Sequence, residues 1–191
     1  VTADMMAAAG ADAALTVVCS RPSAVSRDLL ERSGGCKVFA PSLRYVCETD
    51  FPDALACADI VVMNEREWQT AREPVGALRP ASLAAVTRGT QGASVLWYTG
   101  PEMRELHLPA LPKLAVADPN RAGEAFAAGL IGALADLGAI GPHGRLLLDR
   151  PTVAEAAWQA TLAAWLELDM SEVAFPSRAQ VRHLRRKRPP P

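Results

Sequence analysis

Asp118-Pro119-Asn120-Arg121-Ala122-Gly123-Glu124-Ala125-Phe126 runs directly into Ala-Ala-Gly-Leu-Ile-Gly-Ala-Leu. A polar loop with small residues opens onto an apolar helix, and Glu124 falls in the first helical turn. Backbone N–H groups at a helix start lack intrahelical partners, and the dipole adds partial positive charge there. A phosphate can be held at such a turn, and a carboxylate beside it can take a proton from an attacking hydroxyl. Taken alone, the segment also has the form of any helix N-terminus, where an acid in the first turn is favoured anyway. Its surroundings decide between the two.

Working outward, short β-branched runs alternate with helical patterns. Leu15-Thr-Val-Val-Cys19, Lys37-Val-Phe-Ala40, Asp59-Ile-Val-Val-Met63 and Ala84-Ala-Val-Thr87 read as strands. Ser23 to Arg32, Phe51 to Ala58 and Glu65 to Arg72 read as the helices between them. Gly92 to Tyr98 and Glu105 to Leu108 look like a hairpin, with Thr99-Gly100 at the turn. Two long helices close the chain, Glu124 to Leu137 and Val153 to Leu168. In the second, Ala156, Ala157, Ala160, Ala163 and Ala164 supply a small-residue packing face. Repeated strand–helix–strand units imply an α/β fold with parallel strands and helices on both faces. Ligands of such sheets bind outside the carboxyl ends of the strands.

Two further motifs lie at strand ends. Asn64-Glu65-Arg66-Glu67 follows the third strand. It reads either as an organiser of hydrated Mg²⁺ and phosphate or as a capping box with Asn64 as N-cap. Thr87-Arg88-Gly89-Thr90-Gln91-Gly92-Ala93 follows the fourth strand. Its two glycines, three apart, allow a tight turn and a close approach to a ligand, although a hairpin entry has the same form.

In order and spacing, N-x-x-E, then T-x-G-x-x-G-A, then a D-x-x-x-A-G-acid-x-F helix start resembles the PfkB (ribokinase-like) sugar kinase family. The resemblance covers residues 15 to 180, including the Ala-rich late helix and Ala174-Phe175-Pro176. It corresponds to the nucleotide-binding, C-terminal two-thirds of that family. It implies a three-layer α/β/α, ribokinase-like fold around a mostly parallel sheet, with the N-terminal part and its lid strands missing. It also implies ATP-dependent phosphorylation of a hydroxyl of a sugar or nucleoside, with Mg²⁺ as counter-charge. Glu124 takes the general-base position, and Arg121, Ala122 and Gly123 the anion hole. Asp118 opens that loop. Asn64 and Glu67 match the Mg²⁺ and phosphate motif, with Glu67 acting on the metal through water. Thr87, Gly89 and Gly92 match the loop along the nucleotide. In this family the lid often mediates dimers, so a homodimer stays open.

Two substitutions stand inside the motif. The family's last motif reads roughly D-T-x-G-A-G-D-x-F, and Arg121 replaces its first glycine. A side chain there obstructs a phosphate or clamps it, and a positive φ would be costly for Arg. Glu124 replaces the aspartate and is longer by about one C–C bond; a misplacement of roughly 1 Å can cost on the order of 10²-fold in rate. These substitutions and the missing lid, which leaves the substrate side open to water, motivate the alternative of an inactive kinase-like scaffold or regulatory protein. If the site has decayed, an Arg121→Gly, Glu124→Asp double change is expected to restore activity. An unrelated Rossmann-type binder is the weaker reading, because no G-x-G-x-x-G follows the first strand.

Composition agrees with a kinase-like body. Half of the 191 residues are hydrophobic and the formal net charge is −1, as in a globular protein of the cytoplasm. No apolar run is long enough to span a bilayer, so no membrane partner is expected. Cys19, Cys36, Cys47 and Cys57 form no C-x-x-C pair, and His107, His143 and His183 are scattered, which argues against zinc or haem. Cys19 and Cys36 lie in or beside apolar runs and read as buried, inert thiols. Residues 1–181 are expected to form the partial kinase domain, and 182–191 a basic, Pro-ending tail. That tail carries five of the 20 basic residues. The run is short and lacks interleaved aromatics, so a solvated end is expected there and not a nucleic-acid partner.

Overall fold

The computed structural model describes residues 12–71, 82–99, 101–112, 121–168 and 175–190. β1 (Leu15–Cys19), β2 (Cys36–Ala40), β3 (Ile60–Asn64) and β4 (Leu83–Thr87) each pair in parallel with the next. β5 (Ala93–Thr99) and β6 (Glu102–Leu108) continue the same sheet, in the order β1 to β6. The joins from β4 to β5 and from β5 to β6 are a few residues long. A parallel return needs a dozen or more residues, so both are hairpins. β3 is apolar and buried from Ile60 to Met63, the continuous pattern of a strand covered on both faces. β6 is mostly exposed and carries Glu102, Arg104 and Glu105, charges that suit a sheet edge.

Backbone contacts divide the chain into two units. The first contains the described residues up to Thr87, with Leu96–Glu105 and Ile140–Leu148. Its helices are α1 (Ser23–Arg32), α2 (Phe51–Ala56) and α3 (Glu65–Thr70). Leu30, Phe39, Phe51, Leu55 and Val61 form its core, with the Phe39 and Phe51 rings tilted and 5.9 Å apart. The segment 138–150, which carries no motif, has a structural part here. Ile140 bridges Leu146, and Gly144 lies so close to the Gly35 backbone that a Cβ would stand 2.1 Å from it.

The second unit contains Arg88–Val95, Leu106–Ala139 and the residues from Asp149 onward, so far as they are described. Its helices are α4 (Ala122–Asp136), α5 (Arg150–Glu167) and α6 (Arg178–Lys187). Ala156, Ala157, Ala160 and Ala163 of α5 are buried, as the small-residue face suggested. A Cβ at Gly129 of α4 would lie 2.8 Å from Ala163 Cβ, so these small residues set how closely α4 and α5 approach.

α6 crosses residue 182, where the sequence placed the start of a solvated tail. Asp136 of α4 accepts from Arg182 at 2.8 Å and from Arg178 at 3.1 Å. Glu155 of α5 holds Arg185 in a two-pronged pair at 2.8 and 2.7 Å. The hydrogen bonds from Arg185 hold the Glu155 carboxyl below the usual range. Trp158 donates to the Arg188 carbonyl, whose guanidinium stacks on Trp165. Arg182, Arg185 and Arg188 of the basic run thus contact α4 or α5, while Arg186 and Lys187 are exposed.

Cys36 is buried as expected, and burial followed by the nearby Asp59 pushes its thiol up to about 12. Cys19 is exposed, which corrects the expectation of a buried thiol; it is the last residue of β1, where side chains alternate between faces. A thiol at about 12 in place of 9.0 carries roughly a thousandfold less thiolate at pH 8. In the folded protein, iodoacetamide should modify Cys19 and Cys47 while leaving Cys36 intact. Peptide mass mapping that finds Cys36 alkylated as fast as Cys19 would refute this.

Candidate phosphate-binding and catalytic site

The sheet brings Asn64 and Thr87 together. They are register partners at the carboxyl ends of β3 and β4, where α/β sheets place ligands. Asn64 is the N-cap of α3, and its motif forms a complete capping box. The Glu67 N–H donates to Asn64 Oδ1 at 2.9 Å, and the Asn64 N–H donates to Glu67 Oε2 at 2.8 Å. Glu67 is 8% exposed. The capping-box reading of N-x-x-E is therefore built, and it stands at the carboxyl end of β3. Among the described residues no group of three metal-binding side chains occurs. Magnesium keeps most of its waters and needs few carboxylates, so the absence of such a group does not bear on a water-mediated contact.

The loop after β4 folds as a tight turn. The Arg88 N–H donates to the Gly92 carbonyl at 2.7 Å, and the Gly92 N–H to the Gly89 carbonyl at 3.1 Å. Gly89 and Gly92 both have positive φ, 54° and 92°. Their surroundings differ. A Cβ at Gly89 would meet nothing within 4 Å, whereas one at Gly92 would stand 2.0 Å from the Leu108 carbonyl oxygen. The Arg88 guanidinium donates to the buried Ser94 hydroxyl, which lies 3.5 Å from His107 Nδ1.

At the start of α4, Arg121 is the N-cap and adopts a left-handed conformation, φ 68° and ψ −6°. No side-chain oxygen caps this helix. Asn64, Asp149 and Ser177 do so for α3, α5 and α6. Among the described residues, the first-turn N–H groups of α4 therefore have no N-cap side-chain acceptor, as is also the case for α1 and α2. Ala122 is half-buried, while Gly123 and Glu124 are exposed, and a Cβ at Gly123 would meet nothing within 4 Å. Among the described residues, then, a side chain at Gly123 would meet no neighbour, and Glu124 follows it in the same turn. Asp118 lies outside the described residues.

The Arg121 guanidinium is engaged by α5. Its Nη2 stands 2.5 Å from Oε1 of Glu167, and its plane lies over the Phe175 ring at 5.2 Å. Glu167 escaped the sequence reading; the one available signal was an acid among the apolar residues Trp165, Leu166 and Leu168. A groove of about 200 Å³ beside α4 is lined by Gly129, Gly132, Gln159, Ala163 and Phe175 among others. Ala125, next to Glu124, already lines it.

The sequence profile of the pfkB family carbohydrate kinases matches residues 3–164. This chain belongs to that family. No curated protein sequence matches it. Among solved structures, a fructokinase from Vibrio cholerae is 22% identical, with a TM-score of 0.64 over 88% of this chain and 59% of that one. A nucleoside kinase from Burkholderia thailandensis is 19% identical, with a TM-score of 0.67 over 94% of this chain and 58% of that one. Ribokinase from Arabidopsis thaliana is 16% identical, with a TM-score of 0.68 over 95% of this chain and 57% of that one. These likenesses establish a three-layer α/β, ribokinase-like fold. The pfkB-family chain spans less than two thirds of the length of each of these structures. Among the described residues, no helix is long and apolar enough to cross a membrane.

Proposed function

We propose that this chain is the nucleotide-binding portion of a kinase that transfers the γ-phosphate of ATP to a hydroxyl of a sugar or nucleoside. The observation that supports the reading is the start of α4, where among the described residues no side chain caps the helix and Glu124 is exposed in its first turn. Phosphoryl transfer asks the protein mainly for positioning and for charge stabilisation, which backbone donors and one base supply. Glu124 takes the proton of the acceptor hydroxyl as its oxygen bonds to the γ-phosphorus, and the bond to the β–γ bridging oxygen breaks to release ADP. The N–H groups of Ala122 and Gly123 hold the charged oxygens. Asn64 and Glu67 are the residues that would hold Mg²⁺ through its water, and the metal would supply counter-charge to the phosphates. Thr87, Gly89 and Gly92 would contact the nucleotide, and the family motif assigns Asp118 to the same site. Related structures contain fructose with ADP and calcium, inosine, or ribose with ATP, which supports a sugar or nucleoside acceptor.

The test is ADP formation by the full-length gene product with ATP and Mg²⁺ across a panel of sugars and nucleosides. No ADP above the acceptor-free blank with any of them would sink the reading. Arg121, where the family has glycine, favours a second reading as an inactive kinase-like scaffold. Tight ATP binding by calorimetry without turnover on any acceptor would select it.

A further inference from the structure

Two unfavourable features meet at the start of α4. Arg121 sits in a left-handed conformation, which a β-carbon resists. Glu167, the last residue of α5, is a carboxylate only 1% exposed, and neither of its oxygens has an aligned hydrogen-bond donor. A buried carboxylate needs a cation close by. Arg121 provides one: its side chain is 25% exposed, its Nη2 lies 2.5 Å from Glu167, and its other face is covered by Phe175. The contact is an ion pair held by proximity, without hydrogen-bond alignment. Each costly feature is accounted for by the other.

We infer that Arg121 and Glu167 are a positioning pair that locks the residue before α4 in its left-handed turn and so aims the first-turn N–H groups. A glycine reaches that conformation by lacking a side chain. Arg121 reaches it because its side chain is anchored at the far end. The geometry stands independently of the proposed function; the statement that a phosphate is what those N–H groups receive rests on it. Arg121 is then neither an obstruction in the turn nor a phosphate clamp.

First-turn exchange, read at the amides of residues 125–128, which make the first intrahelical bonds starting with Ala125 N–H to the Arg121 carbonyl, tests the pair together with thermal melting and MgATP calorimetry on the full-length protein. Arg121→Gly and Glu167→Gln are each expected to speed first-turn exchange tenfold or more, lower the melting temperature and weaken MgATP binding at least tenfold. The double change removes both the cation and the buried charge, and should return all three readouts most of the way, with MgATP affinity within about threefold of the parent. If Arg121→Gly does not fold, Arg121→Lys keeps the charge but loses the stacked plane, and should give intermediate exchange. Additive single effects, or first-turn exchange unchanged in both singles, overturn the pair. A parent that binds no MgATP but shows the non-additive exchange removes the kinase reading and leaves the pair standing.

Discussion

Glu124→Gln is expected to lower kcat by about 10² to 10⁴-fold, the range for loss of a positioned general base. The substitution preserves shape and length, so the turn and the neighbouring groove are left in place. It removes a negative charge beside the bound phosphates, so MgATP affinity should stay the same or tighten. That split, turnover lost with binding retained, separates a base from a residue that merely completes the helix start. The latter would alter stability and leave kcat close to the parent. Steady-state kinetics beside nucleotide calorimetry on the same preparation make the comparison. A variant that keeps more than a tenth of the parent kcat would remove Glu124 from the base position.

Gly92→Ala should lose about 3–4 kcal/mol of stability, against about 1 kcal/mol for Gly89→Ala. The sequence placed the two glycines together as one nucleotide loop, but their environments differ. Gly92 combines φ 92° and ψ −137°, a region that side chains rarely enter, with a Cβ position 2.0 Å from one backbone oxygen and 2.7 Å from Ala110 N. Backbone atoms cannot rotate away as a side chain would, so the strand end must shift. Gly89 needs its left-handed φ of 54° but has open space around it. At about 2–4 °C per kcal/mol for a chain of this size, Gly92→Ala should melt roughly 10 °C below the parent. Equal melting temperatures for the two variants would show that the close approach to Leu108 relaxes at little cost.

The strands and helices were legible because each depends on local pattern. Ile60-Val-Val-Met63 has no polar residue to turn outward, so it reads as a strand covered on both faces. Ser23–Arg32 and Glu65–Thr70 begin where their residues allow. Asn64 with Glu67 was legible as a capping box because that motif is local, and the box forms at the end of β3. What the basic run after residue 182 does was not legible, for the complementary reason. Charge density in a sequence does not reveal that Asp136 and Glu155, remote in the chain, supply partners for Arg182 and Arg185. Cys19 was misplaced because an apolar run does not say which way its last side chain points.

Arg121 carries the clearest lesson for engineering. Reversal to the family pattern by Arg121→Gly with Glu124→Asp leaves Glu167 buried without its cation, a loss on the order of 3–5 kcal/mol. The reversal should succeed only with Glu167→Gln added.

The order and spacing of three strand-end motifs, read from the sequence alone, determined the fold class, the family resemblance and the residues to examine at the start of α4. Such features are local in the chain, or recur at fixed separations, so no coordinates are needed to read them. Tertiary structure alone decided what Arg121 does, which of the two loop glycines is sterically required, and where the basic run ends up. Each of those depends on a partner brought close by packing: Glu167 for Arg121, Leu108 for Gly92, Asp136 for Arg182. A buried charge or a missing Cβ has its meaning set by what lies within a few ångströms in space, and sequence separation does not record that distance.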